Sequence, residues 1–180
     1  ANGQDKVGNC YYCGAGVEKD MVEAVKWHRL AADQGDADAQ TNLGDCYYYG
    51  AGVEKDMVEA VKWHRLAADQ GDANAQFKLG RCYERGEGVA KNMVEAVKWY
   101  RLAADHGNAN GQDKVGNCYY CGAGVEKDMV EAVQWYRLAA EHGSASSTTP
   151  LSTSVSAGDC IDKSIVDASQ SNNIASPSIM

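Results

Sequence analysis

Residues 56–71 read DMVEAVKWHRLAADQG, a stretch that occurs four times along the chain in nearly the same form. It recurs unchanged at 20–35 and with few substitutions at 92–107 and 128–143. Each copy holds one of the chain's tryptophans, which are spaced by 36 residues: Trp27, Trp63, Trp99 and Trp135. A fixed period of this length is typical of a solenoid, whose small units each bury one face against their neighbours.

Each unit contains the pattern of a first helix upstream of this stretch. Residues 37–49 carry apolar side chains at helical spacing, including Leu43 and Cys46. Gly44 lies inside this helix, where glycine costs about 1 kcal/mol relative to alanine. Because glycine returns at the equivalent position of every unit, we expect it to permit a close approach of the neighbouring helix.

The second helix of each unit begins with a capping signal. Asp56 and Glu59 match a capping box, in which the Asp side chain accepts hydrogen bonds from the first free amides and the Glu reaches back. Gly71 then ends the helix, because glycine tolerates the left-handed conformation common at helix ends.

These patterns predict an all-α fold, an α/α superhelix or solenoid of four antiparallel helix-turn-helix repeats. We place the repeats at 1–35, 36–71, 72–107 and 108–143. Residues 144–180 contain eleven serines and no aromatic residue. Since so few large apolar groups cannot offset the entropy lost on ordering, we expect this Ser-rich segment to be a disordered tail.

Charge and hydropathy narrow the possible partners. The net charge of −8 argues against nucleic acid, because phosphate binding requires a basic patch. No apolar run approaches the ~20 residues that span a bilayer, so we expect no membrane insertion. The expected partner is a protein or peptide, and the chain itself is expected to be a monomer.

The cysteines follow the same period. Of seven cysteines, four recur at the 36-residue spacing: Cys10, Cys46, Cys82 and Cys118. Equivalent positions of successive helical units lie about 10 Å apart, beyond the ~7 Å limit for a disulfide. We therefore expect unpaired cysteines, which favour a cytoplasmic location. Cys13 and Cys121 complete two C-x-x-C pairs, but these are three repeats apart, so no shared metal site is expected.

The repeated motif resembles the Sel-1-like repeat family, relatives of the tetratricopeptide repeats. All four units match it, and in the second unit it consists of Leu43, Gly44, Tyr47, Gly50, Gly52, Val53, Asp56, Ala60, Trp63, Ala67, Ala68 and Gly71. The resemblance implies a right-handed superhelix of helix pairs that serves as an adaptor or scaffold in protein complexes. The cysteine-rich branch of the family pairs cysteines within each repeat, and it fits poorly because the second helices here contain no cysteine.

The four units differ mainly along one face of the first helix. In the first unit the varied positions are Asp5, Asn9, Tyr12 and Cys13. In the later units they are Thr41, Asp45, Tyr48, Tyr49, Phe77, Arg81, Glu84, Arg85, Asp113, Asn117, Tyr120 and Cys121. First helices of such solenoids line the concave side, so these residues are candidates for binding a protein partner, with drift of unconstrained positions as the alternative. Asn2 to Val25 is identical to Asn110 to Val133, so one segment is a copy of the other.

Motifs for catalysis are lacking. His28 and His64 alternate with Tyr100 and Tyr136 at one position, which indicates packing. We expect a non-enzymatic scaffold with no cofactor and no bound metal. Two alternatives stay open: a ligand-binding or thiol-active protein that uses Cys13 and Cys121, or a fragment of a longer protein whose activity lies outside this segment.

Overall fold

In the computed structural model, residues 2–143 are described, and they form eight α-helices and no strand. The helices are α1 (Asn2–Cys13), α2 (Met21–Ala32), α3 (Ala37–Tyr49), α4 (Met57–Asp69), α5 (Ala73–Arg85), α6 (Met93–Asp105), α7 (Ala109–Cys121) and α8 (Met129–Glu141). Odd-numbered helices are the first helices of the repeats and even-numbered helices are the second. The prediction of an all-α solenoid of four helix pairs is confirmed. The Ser-rich tail predicted at 144–180 lies outside the described residues.

Of the predicted capping box, the hydrogen bonds to the Asp56 side chain are present and the bond to the Glu59 side chain is not. Asp56 accepts hydrogen bonds from the backbone N–H groups of Val58 and Glu59, at 2.9 and 3.0 Å, as expected. Glu59, however, does not reach back, because the Asp56 N–H already donates to the Tyr47 carbonyl at 3.0 Å. The Glu59 carboxylate instead accepts from Lys62 one turn along the helix, at 2.8 Å.

The buried hydrophobic clusters extend from each repeat into the next. Val61, Ala67 and Ala68 of α4 pack against Ala75, Leu79 and Cys82 of α5, and the same arrangement joins α2 to α3 and α6 to α7. Small alanines allow the helix backbones to come close, while leucine and cysteine fill the remaining space. Each repeat therefore obtains much of its buried surface from the next repeat.

The turn between the two helices of a repeat also contacts the preceding repeat. Gly52 has a φ of 73°, in the left-handed region, and its Cα faces the Met21 carbonyl at the start of α2. A Cβ at this position would overlap that backbone, so both the conformation and the contact require glycine. The equivalent contacts join Gly88 to Met57 and Gly124 to Met93.

A buried glutamine in α3, α5 and α7 hydrogen-bonds to the end of the preceding second helix. The side-chain amides of Gln40, Gln76 and Gln112 donate to the carbonyls of residues 32, 68 and 104, at 3.0–3.2 Å. Each of those carbonyls also accepts from the N–H of the glycine three residues on, at 2.9–3.0 Å, so the glutamine adds a second hydrogen bond in the last turn of the helix. The glutamine oxygens in turn accept from Gln70 or face the rings of His106 and His142.

Candidate protein-binding surface

Successive first helices contact one another directly through polar side chains. Asn42 donates to Asp5 at 3.0 Å, and Thr41 donates to Asp72 at 3.0 Å. Further along, Lys78 lies 2.9 Å from Asp45. The residues predicted to bind a partner thus lie on the side of the repeats where the first helices meet, and we call the solvent-facing part of this side the first-helix surface.

The predicted surface residues divide by exposure. Thr41 and Asp113 are buried, at 6% and 8% exposure, so their side chains support the surface from below. Tyr49 is 61% exposed and the Arg85 side chain is 50% exposed. The others are half-buried: Asp45, Tyr48, Phe77, Arg81, Glu84, Asn117 and Tyr120. The first-helix surface therefore offers solvent mainly two residues of the prediction, both at the ends of α3 and α5.

Asp45 links three helices. Its carboxylate lies 3.2 Å from Nε2 of His64 in α4 and 2.9 Å from Nζ of Lys78 in α5. Burial opposes ionisation of Asp45, but the hydrogen bond from His64 and the charge of Lys78 outweigh it and hold the pKa of the carboxyl below its usual value. The Asp45 carboxylate therefore contributes to the packing of the second repeat against the third.

In the third repeat the varied residues compensate for one another. Tyr100 takes the place held by His64, and its hydroxyl donates to Glu84 at 2.7 Å. Lys114 of the next repeat lies 3.0 Å from the same carboxylate, and the ring of Phe77 lies 5.7 Å from that of Tyr100. Phe77 and Glu84 thus accompany the change from histidine to tyrosine, which explains two of the four differences of this repeat by packing.

The fourth repeat uses its own partner for the equivalent tyrosine. Tyr136 donates to Asn117 at 2.8 Å, and Asn117 donates to Asp113 at 3.1 Å. Burial raises the pKa of Tyr136 to about 12, so its hydroxyl stays a donor at neutral pH. Tyr120 lies under the ammonium of Lys127, which is 5.8 Å from the ring centroid.

A cleft that is open to solvent lies between the second and third repeats. It has a volume of about 240 Å³, and its wall includes Tyr48, Tyr49 and Arg81. The two tyrosine rings meet edge to face at 4.9 Å, and the Tyr48 hydroxyl donates to Glu87 at 2.6 Å. Arg85 lies 3.9 Å from the same Glu87 carboxylate. We call this the tyrosine–arginine cleft.

A second cleft, lined by residues of the first three repeats, has the opposite electrostatic character. It has a volume of about 740 Å³ and is lined by four aspartates, Asp5, Asp36, Asp38 and Asp72, with Lys6 and neutral polar residues. Burial and the charges of Asp72 and Asp36 raise the pKa of Asp38. Within residues 2–143 no group of three or more His, Cys, Asp or Glu side chains could hold a metal ion.

The cysteines differ in burial and in whether they form a disulfide. Burial raises the pKa of Cys46 and Cys82 to about 11 and that of Cys118 to about 12, so these thiols are protonated at neutral pH. Cys13 is exposed and unpaired. The expectation of wholly unpaired cysteines is wrong for Cys121, which is disulfide-bonded. Cys121 is not one of the four periodic cysteines, so the spacing that keeps those apart does not constrain it.

Two features of this surface were missed from the sequence. The polar network through Glu84 and Lys114 joins residues 30 positions apart, and no local pattern signals it. The buried glutamines do recur with the period, at Gln40, Gln76 and Gln112, so the spacing itself was an available signal.

Stacked helix pairs with a shared core define a helical-repeat protein of the solenoid class. The sequence profile of the Sel1 repeat matches residues 1–36, 37–72, 73–108 and 109–144, and the chain belongs to the Sel1 repeat family. Proteins with this repeat generally serve as protein-interaction scaffolds.

Solved structures agree with this assignment. A Sel1 repeat protein from Oxalobacter formigenes is 43% identical, with a TM-score of 0.77 over 80% of this chain. A protective antigen of uropathogenic Escherichia coli strains displaying an SLR fold is 39% identical, with a TM-score of 0.76 over 79% of this chain. The match spans 59% of the first of these proteins and 31% of the second. Helicobacter pylori cysteine rich protein B, 24% identical with a TM-score of 0.58 over 74% of this chain and 96% of its own length, shares the fold.

A comparison with curated protein sequences found no significant match. None of the helices among residues 2–143 is long and apolar enough to cross a bilayer.

Proposed function

We propose that this chain is a non-enzymatic scaffold that binds an extended segment of a protein partner along the concave face lined by its first helices. The observation that carries the proposal is the contrast between the two helices of each repeat. The second helices use Ala60, Val61, Ala67 and Ala68, and their equivalents, for packing. The first helices of the second and third repeats differ from each other and from those of the identical first and fourth, and their varied side chains include exposed Tyr49 and Arg85.

The composition of the first-helix surface supports the same proposal. Tyrosine and arginine are enriched among the residues that contribute most to protein–protein affinity. Tyrosine offers a large contact area with few rotatable bonds, and arginine offers several donors in a fixed geometry. Together they surround a cleft at the junction of two repeats, where a partner segment would contact both repeats at once.

The packing of Phe77 guides the choice of variants. Because its ring contacts Tyr100, a substitution of Phe77 would disturb the fold as well as the surface. Tyr49 and Arg85 are better sites, since both are exposed. Val58, on the second helix of the same repeat and 54% exposed, provides a matched control position.

Site-specific photo-crosslinking tests the proposal. With benzoylphenylalanine in place of Tyr49, the full chain is expected to crosslink a small set of proteins in an extract of the cells that express it. The same group in place of Val58 is expected to crosslink none of these proteins, because it lies on the second helix. Equal capture from both positions, or capture from Val58 alone, would contradict binding on the first-helix surface.

A further inference from the structure

Arg81 has a charge without a partner in a cleft where the other charges are paired. Lys78 lies 2.9 Å from Asp45, and Arg85 lies 3.9 Å from Glu87. Among residues 2–143, the side chain of Arg81 makes no hydrogen bond and no ion pair. Arg81 as a residue is half-buried, and it lines the wall of the tyrosine–arginine cleft.

This cation is also unique among the four equivalent positions. The other repeats have Asn9, Asp45 and Asn117 where the third repeat has Arg81. Asn117 bonds to Tyr136, and Asp45 to His64, so these residues serve the packing within their own repeat. In the third repeat that task falls to Glu84, which binds Tyr100. Arg81 therefore does not have to bond to the ring of the second helix, as Asp45 and Asn117 do in their repeats.

We infer that Arg81 binds a carboxylate from an aspartate or glutamate side chain of the partner peptide, with the ring of Tyr49 against the peptide beside it. This inference rests on the proposed function and names the chemistry of its partner. A guanidinium donates two parallel hydrogen bonds to one carboxylate, which suits a single side chain in a small cleft.

Charge complementarity favours a single carboxylate over other anions. Arg81 supplies one uncompensated positive charge, while Asp45 in the wall and Glu87, bound to Tyr48, are negative. A phosphoryl group with a charge near −2 would leave excess negative charge beside them. A long acidic run would be repelled by the chain's net charge of −8 and by the aspartates of the neighbouring cleft. The partner segment therefore has an isolated acidic residue at this point.

The test uses a phage-displayed library of random peptides, panned against the full chain. The enriched peptides are expected to share one aspartate or glutamate. In solution, Arg81→Asn is expected to weaken the Kd of such a peptide about tenfold or more, because a charge-assisted pair is lost. Asparagine occurs naturally at the equivalent positions 9 and 117, so the variant is expected to keep the wild-type melting temperature. Arg137→Asn, which removes the same charge from an exposed site on α8, is expected to leave the Kd within about twofold.

A change in the peptide completes the test. Replacing its acidic residue by the corresponding amide is expected to weaken binding to the wild type as much as Arg81→Asn does, and to weaken binding to that variant no further. Enriched peptides that share no acidic residue, or that bind Arg81→Asn as tightly as the wild type, would overturn the inference. Tighter binding of a phosphoserine version of the peptide would also overturn it.

Failure of the inference and failure of the proposed function give different results. Peptides that lose affinity for Tyr49→Ala but not for Arg81→Asn would place binding on the first-helix surface without the carboxylate contact, so the proposed function would stand. A library that yields no bound peptide, or peptides insensitive to both substitutions, would count against the proposed function as well.

Discussion

Each second helix has one ring-bearing residue that packs against a glycine in the first helix of the same repeat. The rings of His28, His64, Tyr100 and Tyr136 each cover a glycine of the first helix, and a Cβ at Gly80 would lie 2.6 Å from the Tyr100 ring. Each ring is at least partly buried, so its polar atom needs a partner, and that partner differs from repeat to repeat. The lack of space for a Cβ thus requires glycine at this position of all four repeats, whereas the hydrogen-bond partner of the ring differs between repeats.

Substitution of Gly44 tests this close approach. Gly44→Ala is expected to lower the free energy of unfolding by about 1–3 kcal/mol, because the added methyl would overlap the His64 ring. The better helix propensity of alanine offsets only about 1 kcal/mol of this overlap. Urea denaturation followed by circular dichroism measures the change.

Gly3 offers a matched control, since it also lies in a first helix but has no atom within 4 Å of the place that an added methyl would occupy. Gly3→Ala is expected to leave the stability unchanged or to raise it slightly. If the two substitutions had the same effect, the contact between Gly44 and His64 would not be the reason for glycine.

The sequence reveals such glycines but not the polar partners around them. Gly44 stands out because it recurs with the period against its own helix propensity. Glu84 and Phe77 give no such signal, because both contact Tyr100, which lies in the other helix of the repeat. Their role can be interpreted only when this contact is known. Periodicity therefore predicts the scaffold, whereas the differences between repeats require the tertiary contacts to interpret.

At the scale of the element, the N-cap residue determines where each second helix begins. Asp20, Asp56 and Asp128 each accept two backbone hydrogen bonds, whereas Asn92 accepts one. The predicted reach-back of Glu59 failed because the turn folds so that Tyr47 takes the Asp56 N–H, and sequence spacing contains no information about that contact.

Removal of one cap tests its contribution. Asp56→Ala is expected to cost about 1 kcal/mol of the free energy of unfolding, because two amides at the start of α4 lose their acceptor. Asp56→Asn is expected to cost less, since asparagine occupies this position in the third repeat. Thermal denaturation of both variants gives the comparison, and equal losses for the two would indicate that the charge of Asp56 matters more than its hydrogen bonds.

At the scale of the whole molecule, burial depends on the neighbouring repeat. Val25, Val61 and Val97 are 3–5% exposed, whereas the equivalent Val133 of α8, which no first helix follows within the described residues, is 43% exposed. The second helices are thus constrained by packing on the next repeat, in line with the proposal that the first helices bind the partner. The two clefts between first helices differ in charge, so the electrostatic character of the first-helix surface changes along the chain.

The measurement that tests the central claim most directly is affinity capture with quantitative mass spectrometry. The wild-type chain is compared with the double variant Tyr49→Ala, Arg85→Ala on the first-helix surface and with Val58→Ala, Lys62→Ala on the second helix, where both side chains are exposed. Our account predicts that the first double variant loses the captured partner while its melting temperature stays close to the wild-type value, and that the second retains it. Full capture by the first variant, or loss only with the second, would contradict it.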